Sequence, residues 1–204
     1  MLDSRLDPMA HVLLVCTGNI CRSPMAEGLL RSALQRRLGE GAPLVGSAGT
    51  IARDGAPAVP EAVEAAAELG VDVSGHSARR LRREDITDAA LIVCMAAEHR
   101  EAVQALDPEA EARTFTLKEL VRLLEATGLR PVDTTPSDGG LAGAVADAHG
   151  RRAGSPSPEE DDVMDPLGLS LESYRVVASE LEDLCERLAV GLSDDRPVES
   201  GRVD

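Results

Sequence analysis

Apolar residues first gather at His11–Val15, a short β-rich run HVLLV, which passes through a glycine-bearing turn into Pro24–Leu38. There the apolar positions recur at helical spacing, so the opening unit reads strand, loop, helix. Leu44–Val45 begins a second short strand that ends at Ser47-Ala48-Gly49, followed by a helix from Pro60 to Leu69 closed by Gly70. Leu91–Met95 is an apolar run without alternation, the pattern of a strand buried on both faces. Ala96–Leu106 predicts another helix, Thr114–Phe115 a fourth strand, and Leu117–Ala126 the helix after it. From Leu169 to Leu192, the residues Leu171, Tyr174, Val177, Leu181, Leu184 and Leu188 trace one helical face.

Strands alternating with helices in this order imply a parallel sheet with right-handed crossovers. The fold class is therefore α/β: a three-layer, flavodoxin-like, four-stranded parallel sheet with helices on both faces. Ligands in such sheets sit beyond the carboxyl ends of the strands, where the loop after the first strand lies. A single domain over 11–192 is expected, with an N-terminal extension over 1–10 and a polar tail over 193–204. Between Thr127 and Asp162 the chain is rich in Gly, Pro, Ser, Asp and Ala and shows no apolar period. It is read as a flexible insert, a spacer rather than a partner-binding segment.

Charge narrows the range of partners. The formal net charge is -15, which argues against a nucleic-acid binder, because that affinity rests on Lys and Arg neutralising phosphates. The run Arg79, Arg80, Arg82 and Arg83 is read as a solvated helix face. With one Phe, one Tyr and no Trp, the core must be aliphatic. No apolar run approaches the roughly 20 residues of a membrane span, and the first ten residues carry acids rather than a leader, so a cytoplasmic setting is expected. Cys16, Cys21, Cys94 and Cys185 match neither a disulfide framework nor a four-ligand metal site. Cys94 and Cys185 fall on core faces.

Candidate chemistry is concentrated in Cys16-Thr17-Gly18-Asn19-Ile20-Cys21-Arg22-Ser23, between a buried strand and a helix. Successive backbone N–H groups in such a turn, together with a helix amino terminus, form a nest for a tetrahedral dianion. The same positive field stabilises a thiolate at its base, which makes Cys16 the candidate nucleophile. Arg22 offers a planar fork to two phosphate oxygens, Ser23 a hydroxyl to the sulfur, and Gly18 a permissive turn. Cys21 either packs beneath the loop or lies close enough to Cys16 to guard it as a disulfide.

The segment VCTGNICRSPMAE, residues 15 to 27, resembles the signature of the low-molecular-weight protein-tyrosine-phosphatase family. Ser47-Ala48-Gly49, His76, Met95, His99 and Thr114-Phe115-Thr116-Leu117 extend the resemblance. It implies a metal-free, cofactor-free phosphatase acting on phosphorylated protein, with Asn19, Ser47 and His76 shaping the loop. It also implies a general acid at Asp165, in the Asp-Pro pair before the last helix; because that pair follows the flexible stretch, a mobile loop could swing it over the site. A poor leaving group needs such a proton donor opposite the nucleophile.

The substrate is less settled by these residues. Tyrosine-selective relatives carry aromatic residues where this chain has Ile51-Ala52-Arg53 and Leu167. The stretch Asp165-Pro166-Leu167-Gly168 through Tyr174 looks more like the bacterial protein-arginine-phosphatase branch. Ile20 points to phosphotyrosine, since that branch tends to place Thr there. Phosphotyrosine is the preferred reading and phosphoarginine the alternative. An arsenate reductase and a non-catalytic phosphate-binding domain stand further back. The first needs a cysteine relay that Cys94 and Cys185 do not resemble; the second does not explain Cys16, Arg22 and Asp165 together.

Overall fold

The structure, a computed structural model, describes residues 11–126, 140–152 and 161–193. Four parallel strands, β1 (His11–Cys16), β2 (Leu44–Gly49), β3 (Leu91–Cys94) and β4 (Thr114–Thr116), form one sheet in the order β2-β1-β3-β4. In register, Val12 faces Val45 on one side and Leu91 on the other, and Val15 faces Ala48 and Cys94. β1 is central, which explains its unbroken apolar run: both faces need cover.

The two faces carry separate cores. Val12, Leu14, Leu91, Val93 and Phe115 point toward helices α1 (Arg22–Leu38), α2 (Pro60–Glu68) and, further along the chain, α5 (Leu117–Glu125) and α7 (Leu171–Leu192). Leu13, Val15, Ile92 and Cys94 point the other way, against Ile86 of α3 (Arg83–Asp88) and Val103 of α4 (Ala97–Leu106). The expected α/β fold with helices on both faces is the observed one. Among the described residues, no helix is long and apolar enough to cross a membrane.

Two expectations are corrected. The stretch between 127 and 162 holds a helix, α6 (Leu141–Arg152), which buries Leu141, Val145 and Ala148. Those three are spaced by four and three, but alanines populate both faces of this segment and hide the contrast on which a period depends. Arg152 fixes the end of α6: it donates to Glu119 Oε1 at 3.0 Å, and its guanidinium lies 4.1 Å from the centroid of the Phe115 ring. Residues 127–139 and 153–160 of that insert, the N-terminal extension and the tail beyond Ser193 lie outside the described residues. Second, the arginine run is not a helix face. Only Arg83 belongs to α3; Arg80 bridges in parallel to Gly49, while Arg79 and Arg82 pair with Asp85 and Asp54. Buried Ala78 and Leu81 flank Arg79 and Arg80 and hold this segment against the sheet edge.

Gly49 ends β2 in contact with the loop after β1. A Cβ there would stand 2.7 Å from the Thr17 carbonyl oxygen and 2.9 Å from the Asn19 nitrogen. Both are backbone atoms, so Gly49→Ala is expected to displace the loop, costing about 1–3 kcal/mol of stability. Thermal unfolding should show the decline.

Candidate active site

The loop from Cys16 to Ser23 wraps around one sulfur. Cys16 Sγ lies 2.9 Å from Ser23 Oγ and accepts from the Asn19 backbone N–H at 3.2 Å. Asn19 Nδ2 donates to Ser23 Oγ at 2.9 Å and to Ser47 Oγ at 2.8 Å. With its oxygen accepting from Asn19, Ser23 is left to direct its own hydrogen at the sulfur. The left-handed residue of the turn is Asn19, at φ 54°, rather than Gly18. Every polar group of buried Asn19 helps hold that strained backbone: its side-chain oxygen accepts from the Arg79 N–H, and its carbonyl from His76 Nε2 at 2.8 Å. Ser47 in turn donates to Glu27 Oε2 at 2.6 Å. The amino terminus of α1, at Cys21, has no side-chain cap, so its first amides remain available to an anion.

Arg22 is 4% exposed and spans the mouth of the loop. Nη1 donates to the Val163 carbonyl at 3.1 Å; Nη2 donates to Thr17 Oγ1 at 3.2 Å and to Asp165 Oδ2 at 2.6 Å. Asp165 also accepts from the Leu167 N–H at 3.1 Å. The segment leading to it is tied to the rest of the site: Val163 N–H donates to the Met95 carbonyl, Asp162 accepts from the Ala97 N–H, and Arg122 reaches Asp161. A cleft opens above, lined by Cys16, Thr17, Gly18, Ile20, Cys21, Arg22, Ile51, Asp165 and Leu167. Ile51 and Leu167 are exposed at its rim.

Residues 11–130 match the family described as low molecular weight phosphotyrosine protein phosphatase. The chain belongs to this family. It is 33% identical to a protein-arginine-phosphatase of Bacillus subtilis over 91% of this chain and 98% of the relative. It is 41% identical to the low molecular weight protein-tyrosine-phosphatase Etp of Escherichia coli, over 51% of this chain and 66% of the relative. The crystal structure of a low molecular weight protein tyrosine phosphatase from T. tengcongensis superposes with a TM-score of 0.66 at 36% identity, covering 90% of this chain and 99% of that one.

The phosphatase site also contains contacts to which its sequence assigned no role. Tyr174, on α7, is buried with its hydroxyl 3.6 Å from Cys21 Sγ. Burial pushes the Cys21 thiol up to about 11, so this cysteine is held protonated at neutral pH. Glu27, inside the recognised signature, carries the Ser47 hydroxyl. His99, the first buried residue of α4, places Nε2 at 2.9 Å from Thr17 Oγ1. A signal for it existed, a histidine after the third strand's carboxyl end, but nothing local linked it to Thr17.

Burial, then the charge of Arg22, lowers the His99 pKa to about 4, against the opposing pull of Glu98, Asp162 and Asp165. Unfolding returns the imidazole to its ordinary value near 6.5, so between about 4 and 6.5 the unfolded chain binds more protons than the phosphatase does. Stability is therefore expected to fall as pH drops through that window. His99→Gln should flatten that part of a plot of melting temperature against pH.

Proposed function

We propose that this phosphatase hydrolyses phosphotyrosine in proteins through a cysteinyl-phosphate on Cys16. The observation that carries the mechanism is the sulfur at the floor of the loop, receiving hydrogen bonds from Ser23 and Asn19 with Arg22 and Asp165 at its mouth. The Cys16 thiolate attacks phosphorus, the P–O bond to the phenol breaks, and Asp165 supplies the proton. Water then attacks phosphorus, giving its proton to Asp165; the P–S bond breaks and the sulfur leaves as a thiolate stabilised by Ser23. Arg22 and the loop amides hold the equatorial oxygens throughout. In the free enzyme Arg22 is paired with Asp165, so an arriving phosphate dianion takes over that guanidinium and leaves the carboxyl free to carry a proton.

Phosphotyrosine is favoured over phosphoarginine by the walls. Ile20, Ile51 and Leu167 are apolar, and among the described residues Asp165 is the one acidic side chain lining the cleft. An aromatic ring is covered by such walls, whereas a guanidino group would leave N–H donors unpaired against Ile20. The second reading, phosphoarginine, draws on near full-length similarity to the Bacillus subtilis arginine phosphatase. Peptides carrying either group decide between them. A kcat/KM at least about 10-fold higher on phosphotyrosine is expected, narrowing in Ile20→Thr. Activity confined to phosphoarginine would refute the assignment. We also place the protein in the cytoplasm, a reading supported by its four unpaired cysteines.

A further inference from the structure

Thr17 Oγ1 is a shared acceptor at the mouth of the loop: Arg22 Nη2 approaches it at 3.2 Å from one side and His99 Nε2 at 2.9 Å from the other. Glu98 Oε1 stands 3.4 Å from the same hydroxyl and 3.3 Å from His99 Nε2. A carboxylate only accepts, so the imidazole proton belongs on Nε2, and the Thr17 hydrogen turns toward Glu98. That tautomer leaves His99 Nδ1 as a bare lone pair, buried without a hydrogen-bond partner among the described residues. His99 is 1% exposed, so a neutral polar ring is kept in the core with Nε2 directed at Thr17, at 2.9 Å, and more loosely at Glu98, at 3.3 Å.

We propose that His99 is a positioning residue for the phosphatase reaction, fixing the Thr17 hydroxyl so that Arg22 is held with its fork toward the phosphate. The chain of contact is continuous: α4 carries the imidazole, the imidazole donates to Thr17, and Thr17 accepts from the guanidinium that binds the equatorial oxygens. Without the imidazole, the Thr17 hydroxyl keeps only the long 3.4 Å bond to Glu98 and the guanidinium itself, so the firm anchors left to Arg22 are Val163 and Asp165. Asp165 is the wrong anchor during turnover, because its carboxyl is then needed by the leaving group. His99 touches neither substrate nor reacting atoms.

The proposal rests on the phosphatase reading, so its test uses two measurements, one of which needs no turnover. In His99→Phe, kcat/KM on an aryl phosphate should fall about 10-fold, and calorimetric binding of inorganic phosphate should weaken by a similar factor. His99→Gln, whose amide nitrogen can replace Nε2, should recover most of both. Thr17→Val should lose about as much as His99→Phe, and the double variant no more than either alone. Losses that multiply to about 100-fold would overturn the proposal, as would His99→Phe lowering only the melting temperature. Should His99→Phe not fold, Thr17→Val decides alone: unchanged phosphate affinity there breaks the path from His99 to Arg22. Weakened phosphate binding without turnover in the parent protein would refute the catalytic reading while sustaining the positioning one.

Discussion

Replacing Cys16 by serine is expected to reduce turnover of aryl phosphates by about 10⁴-fold or more while inorganic phosphate still binds. The hydroxyl is a far weaker nucleophile than a thiolate, and no other group can take over the attack. Cys21 sits in the same cleft, but its thiol is held protonated by burial and engaged with Tyr174. The anion cradle survives the change, because its donors are the loop amides, the α1 terminus and Arg22, none of which depends on sulfur. Steady-state assays with phosphate calorimetry separate the two effects. Substantial turnover in Cys16→Ser would require a different nucleophile.

Asp165→Asn is expected to lower kcat by roughly 10²–10³-fold on phosphotyrosine peptides. The loss should shrink as the leaving group becomes more acidic, since a good leaving group departs without a proton. Substrate binding should hold or tighten, because Asn cannot compete as an ion for the Arg22 guanidinium that Asp165 engages at 2.6 Å. A series of aryl phosphates of graded acidity provides the measurement. An equal loss across the series would assign Asp165 a merely structural place.

Much of this was readable from the chain because the chemistry is contiguous. A strand buried on both faces, a turn and a helix lie within residues 11–38, so residue type and spacing alone place the sulfur, the amides and the guanidinium together. Asp165 became legible only through the family resemblance, which keeps an Asp-Pro pair before the last helix. What stayed hidden was carried by contacts between distant segments. Thr17 meets His99 across 82 positions, and Cys21 meets Tyr174 across 153. Each of these side chains has an ordinary local explanation: a helix histidine, a core tyrosine. Helix α6 escaped notice for a different reason, since its alanines bury little area and blur the periodic signal. The arginines at the start of α3 misled through composition, because four cations look like a solvated face although Arg79, Arg82 and Arg83 pair with Asp85, Asp54 and Asp107. The proposed substrate preference draws on three aliphatic side chains from three segments, Ile20, Ile51 and Leu167, whose shared wall appears only once the chain is folded.

The central claim, that Cys16 carries the phosphoryl group, is tested most directly by acid-quenching the parent enzyme during steady-state turnover of an aryl phosphate and mapping the digest by mass spectrometry. The account predicts one phosphoryl group on the sulfur of Cys16, absent when vanadate is present. Continuing turnover with no phosphoryl group on the Cys16 peptide, or with one on another residue, would contradict it.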